Sequence, residues 1–147
     1  MSQGYSNYAQ SQMVAETMQE SEARALLRCA AKLEMAQQDG VRYADYCEAV
    51  RHNQRLWTVF QMSLLKPEHG LPGELADLLR SLSLFVDRRS MRAFGEHEAK
   101  LLTVLININR QVAAGLMQQM ETMATTTVTA EQMPAPSMPQ DGINIAG

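Results

Sequence analysis

Apolar side chains recur along this chain at steps of three and four in four separate segments, the spacing that lines one face of an α-helix. In the first segment Ala23, Leu26, Leu27, Ala30 and Leu33 share a face. Thr17 followed by Glu20 has the form of a capping box, in which the hydroxyl and the carboxylate each satisfy an orphan backbone N–H. The pattern predicts a helix from Thr17 to about Gln38, stopped at Asp39-Gly40, where glycine adopts the left-handed conformation. Met13 and Met18 extend a weaker apolar face upstream, so a start near Ser11 fits as well. In the second segment the face is Tyr46, Val50, Asn53, Trp57, Phe60 and Leu64. Asp45 with Glu48 suggests another capping box, heading a helix from about Tyr46 to Leu65.

The run Lys66-Pro67-Glu68-His69-Gly70-Leu71-Pro72-Gly73 breaks the pattern with two prolines and two glycines. Beyond it, Leu75, Leu78, Leu79, Leu82, Phe85 and Val86 form a heptad-like stripe on a third helix, expected from about Glu74 to Ala93 and ended by Gly95. The fourth helix is expected from about Glu96 to about Met120 or a little further, on Leu101, Leu102, Leu105, Ile108, Val112 and Leu116. Gly115, beside Ala113 and Ala114, makes a small-residue patch that another helix could approach closely. Short loops make neighbouring helices antiparallel, so the fold class is all-α, a four-helix bundle. Residues 1–12 read as a flexible arm, 13–122 as the bundle domain, and 123–147, rich in Thr and Pro, as a disordered tail.

Two amides interrupt these stripes. Asn53 lies on the face of the second helix, and Asn109 on that of the fourth, between Leu105 and Val112. An amide on an apolar stripe is costly unless it finds a hydrogen-bond partner. Either the two satisfy each other inside the bundle, or they line a groove whose occupant supplies the missing bonds. The groove reading names Asn53, Leu56, Trp57, Asn109 and Leu116 as partner-binding residues, with Trp57 mainly structural.

Composition narrows the function. All 13 basic residues fall between 21 and 120, where the acids outside Glu16, Glu20, Glu121, Glu131 and Asp141 also fall, so the folded part is close to neutral. That balance argues against broad electrostatic binding of nucleic acid. The one basic cluster, Arg80, Arg88, Arg89 and Arg92, is either a solvated helix face or a patch for an acidic partner or RNA, although no aromatic residues interleave with it to stack bases. His52, His69 and His97 lack metal-ligand spacing, no phosphate loop follows a strand, and no serine sits in a nucleophile elbow, so no enzyme, metal or cofactor is expected. No apolar run approaches a membrane span and the N-terminus lacks the form of a secretory signal. Cys29 and Cys47 then read as free thiols in a reducing cytoplasm. Eleven methionines in 147 residues suit either a gap-filled core or an adaptable apolar binding surface.

Taken in order, several segments resemble the alphaproteobacterial flagellar biosynthesis regulator FlaF family. Tyr5 and Tyr8 with Ala9 resemble its N-terminus, and Glu22-Ala23-Arg24-Ala25-Leu26-Leu27 its first helix. Asn53-Gln54-Arg55-Leu56-Trp57 is similar to an Asn-Arg-Arg-Leu-Trp-like run, Leu71-Pro72 to a turn before a Leu-rich helix, and Leu105-Ile106-Asn107-Ile108-Asn109 with Gly115-Leu116 to the family's last helix. Gln54 stands where a basic residue is expected, Asn107 where an acid is common, and the turn lacks an Asn. The resemblance spans about residues 5–120. It implies a cytosolic, chaperone-like factor that binds flagellin and promotes its synthesis and secretion, with the regulator FlbT as a further partner. An alternative implied function is control of flagellin mRNA, directly or through FlbT, carried by the arginine face.

Overall fold

The computed structural model describes residues 20–132, with side chains as far as 122. The flexible arm, the capping box at Thr17 and the tail from 133 onward lie outside the described residues. Within them all regular structure is helical: α1 (20–35), α2 (Tyr43–Leu64), α3 (Gly73–Glu96), a 3-10 turn (Ala99–Leu102) and α4 (Thr103–Gln132). The four helices form the expected antiparallel bundle. α1 meets α4 through an Arg110–Glu34 ion pair at 2.9 Å, and α2 meets α3 through Gln61 Nε2 donating to Asp87 at 3.3 Å.

Several helix ends differ from the sequence pattern. α1 closes at 35 and tightens through Ala36–Gln38, where Gln37 N–H reaches Glu34 O at 3.1 Å, before Gly40 turns the chain at φ +82°. α2 begins at Tyr43, earlier than the expected start. Asp45 does not cap it; its carboxylate accepts from Arg42 Nε at 3.1 Å inside the first turn. The early start is held by aromatic anchoring, since the Tyr43 hydroxyl donates to Phe94 O at 2.6 Å and its ring stacks on Tyr46.

Gly95 does not end α3. The helix passes through it, and His97 takes the left-handed cap at φ 47° with its N–H on Ala93 O. For a residue with a Cβ that conformation is strained. Here the imidazole packs at 5.0 Å from Tyr43 and 4.6 Å from Tyr46, which holds the turn in place of a glycine. A 3-10 turn follows, so α4 starts at Thr103, later than expected. α4 also runs to Gln132, beyond the boundary drawn at 122. Its Thr-rich stretch has modest helix propensity, but extending an existing helix is far easier than starting one, and the first breaker is Pro134.

The core face of α3 is not the leucine stripe. Ala76, Leu79, Ser83, Val86, Ser90 and Ala93 are buried, a row of mostly small side chains at alternating steps of three and four. Small residues bring the helix axes close, and α3 lies tightly along α2 while touching α4 at few points. Leu75 and Leu82 are only partly buried, Phe85 likewise, and Leu78 is 52% exposed. Leu27, expected on the core side of α1, is 39% exposed.

Candidate partner-binding site

Residues expected to line a groove form instead a polar node inside the bundle. Asn53, Trp57 and Asn109 are fully buried. The Asn109 carboxamide accepts from Trp57 Nε1 at 3.0 Å through its oxygen, and its nitrogen donates to Asn53 Oδ1 at 2.6 Å and to the Leu26 carbonyl at 3.2 Å. One side chain of α4 thereby bonds to two of α2 and to the backbone of α1. The two stripe amides do satisfy each other, except that Asn53 Nδ2 has no hydrogen-bond partner among the described residues. Leu56 is partly buried and packs against the core, and Leu116 is buried. In this conformation Asn53, Trp57 and Asn109 present nothing to a partner at the surface; they set the register of the helices.

Leu116 leads to the accessible site. At the end of the bundle where α1 starts and α2 ends lies a cleft of about 220 Å³. Its floor is Phe60 and Leu64 from α2, Leu71 from the α2–α3 loop, Leu79 from α3 and Leu116 from α4. Glu22, Ser63, Lys66, Glu68 and His69 form the polar rim. The loop that closes one side is shaped by Gly70 at φ +78° and by His69, whose Nδ1 accepts the Leu71 N–H at 3.0 Å. That bond leaves Nε2 as the protonated nitrogen of the neutral ring. Glu22 is half-buried in the rim, and desolvation raises its carboxyl above the usual carboxylate range.

The cleft is smaller than the roughly 300–1,000 Å³ typical of small-molecule sites. Its size and apolar floor suit a large apolar side chain inserted from an amphipathic segment, with the charged rim meeting that segment's polar flanks. Phe60 ties the cleft to the polar node, because its ring lies edge-on to Trp57 at 5.3 Å. Of the residues expected from sequence only Leu116 lines the cleft. Phe60 and Leu64 were legible as core, but only the packing of α1 and the loop shows that this core is open at one end.

The basic cluster does not act as one face. Arg80 pairs with Asp77 at 2.8 Å and donates to Leu64 O at 3.0 Å, while Arg92 pairs with Glu96 at 2.9 Å. Arg89 donates to Leu101 O at 3.3 Å and lies over the Phe85 ring, which leaves Arg88 as the exposed member without such a contact. Among the described residues no group of three or more His, Cys, Asp or Glu side chains could hold a metal, and no helix is long and apolar enough to cross a membrane. Cys29 and Cys47 are buried free thiols, and Cys29 Sγ lies 3.8 Å from His52 Nδ1.

The site is thus a side-chain-sized apolar cleft at one end of an all-helical bundle. The family model for flagellar protein FlaF matches residues 4–116, and the chain belongs to that family. Its role therefore lies in flagellum biogenesis. No curated protein and no solved structure matches it.

Proposed function

We propose that this chain is a non-enzymatic, chaperone-like factor that binds flagellin in the cytoplasm and promotes its synthesis and secretion, with FlbT as a further partner. The observation that supports the reading is the cleft: an apolar floor of Phe60, Leu64, Leu71, Leu79 and Leu116 open at one end of the bundle formed by the described residues. A secreted filament subunit that has not yet assembled exposes apolar helical stripes, and a bundle end of this kind masks one anchor side chain of such a stripe. Direct action on flagellin mRNA is the weaker reading, since three of the four arginines it requires are engaged by acids or carbonyls within the fold.

Calorimetric titration of monomeric flagellin into the full chain tests the proposal with the wild type and with Ser63→Trp, which fills the cleft from its half-exposed rim. The expected result is saturable binding by the wild type and at least a tenfold loss in the variant. Equal affinity of the two would remove the cleft from the account, and no binding by either would remove flagellin.

A further inference from the structure

The half-exposed row on α3 is self-complementary. Leu75, Leu78, Leu82 and Phe85 follow one another at steps of three and four, one position out of phase with the buried row. Charge is segregated along the same side of the helix. Glu74 and Asp77 lie in its N-terminal half, and Arg88 and Arg89 in its C-terminal half; Arg89 already donates to Leu101 O through one guanidinium nitrogen, Nη1, at 3.3 Å. Asp77 already pairs with Arg80, but its side chain is 80% exposed.

An antiparallel copy of the helix reverses that order. With a two-fold axis passing between Ser81 and Leu82, Leu78 of each copy lies opposite Phe85 of the other. Glu74 lies opposite Arg89, and Leu75 opposite Arg88. Leu78 and Phe85 thus meet apolar side chains, Leu75 meets the stem of an arginine, which covers apolar surface well, and Glu74 meets a base; Leu82 lies beside the axis opposite Ser81, and Asp77, opposite the buried Val86, makes no cross-pair. A parallel pairing would instead set acids against acids and bases against bases. The interface is isologous, as a two-fold requires, and antiparallel packing also opposes the helix dipoles.

We propose that this chain forms a homodimer through the Leu75–Arg89 side of α3, in antiparallel register. None of these residues lines the cleft, so the inference stands apart from the flagellin reading.

The test is light scattering of the full chain, alone and as a mixture of two charge variants. The wild type is expected at twice the chain mass, falling to the single mass on dilution. Glu74→Arg and Arg89→Glu each set like charges against each other twice in their own dimers, so each alone is expected to dissociate at concentrations at least tenfold higher. Mixed in equal amounts they make two favourable pairs, and dimer is expected to return. Leu78→Asp, at a half-exposed position, is expected to abolish the dimer while keeping the helical circular dichroism of the wild type. A wild type that stays monomeric at the highest soluble concentration would overturn the proposal. So would a dimer that neither charge variant weakens, or a mixture that fails to recover it.

Discussion

Asn109 on α4 donates to Asn53 on α2 at 2.6 Å, and its own oxygen holds the Trp57 indole at 3.0 Å. The two amides are not equivalent. Asn109 uses both ends of its carboxamide, whereas Asn53 leaves its nitrogen without a partner among the described residues. Replacing Asn109 by leucine strands the Trp57 N–H and the Asn53 oxygen in a dry core, and a buried polar group left without its bond costs about 1–3 kcal/mol. Asn109→Leu is expected to lower the unfolding free energy by about 2–4 kcal/mol. Asn53→Leu removes an unpaired amide along with the bond and is expected to cost about 1 kcal/mol or less. Urea unfolding followed by Trp57 fluorescence measures both, and a larger loss for Asn53→Leu would reverse the assignment of the node.

Glu22 gives the fold a pH dependence of definite sign. Burial raises its carboxyl above the ordinary value of 4.5. The folded state therefore binds this proton more tightly than the unfolded chain does. Its contribution favours folding at acidic pH and is progressively lost as pH rises from the ordinary value through the raised one. Glu22→Gln is expected to be more stable than wild type at neutral pH and to have a flatter stability profile across that window. Thermal melts at a series of pH values read this directly; parallel profiles for the two proteins would show that Glu22 does not titrate differently on folding.

Gly115 and Gly40 are predicted to respond to alanine in opposite directions. Gly115 sits inside α4 with open space where a Cβ would go, so Gly115→Ala is expected to stabilise by about 0.5–1 kcal/mol. Gly40 turns the chain at φ +82°, and Gly40→Ala is expected to cost about 1–2 kcal/mol. Chemical denaturation of both variants checks the pair.

Cys29 is predicted to be inert in the native state. It is 2% exposed, and burial raises its thiol above the ordinary value of 9.0, so little thiolate is present at neutral pH. Its labelling by a thiol reagent should follow global or sub-global opening and slow in proportion to added stability. Rapid labelling at a rate independent of denaturant would contradict its placement.

Much of this structure was legible in the pattern of apolar positions. Four stripes gave four helices, and the intrusion of Asn53 and Asn109 pointed to a node that the structure contains. What misled was local chemistry overridden by tertiary contacts. Asp45 has the spacing of a cap, yet the Tyr43 hydroxyl on Phe94 O draws the helix start upstream of it. Gly95 is the natural stop, yet the tilted, edge-on packing of His97 against Tyr43 and Tyr46 moves the cap onward. On α3 the larger apolar row looked like the core, but helix approach favours the small one, and size alone hid it. The cleft was not legible because its residues come from four helices and a loop, and no single stripe shows that their shared end is open.

The central claim is that the cleft end of this FlaF-family bundle receives flagellin. Its most direct test is size-exclusion chromatography with light scattering of the purified full chain mixed with monomeric flagellin. The account predicts a complex of fixed stoichiometry that Ser63→Trp disrupts, while Leu78→Asp leaves flagellin in the complex. Two separate peaks at their individual masses would contradict it.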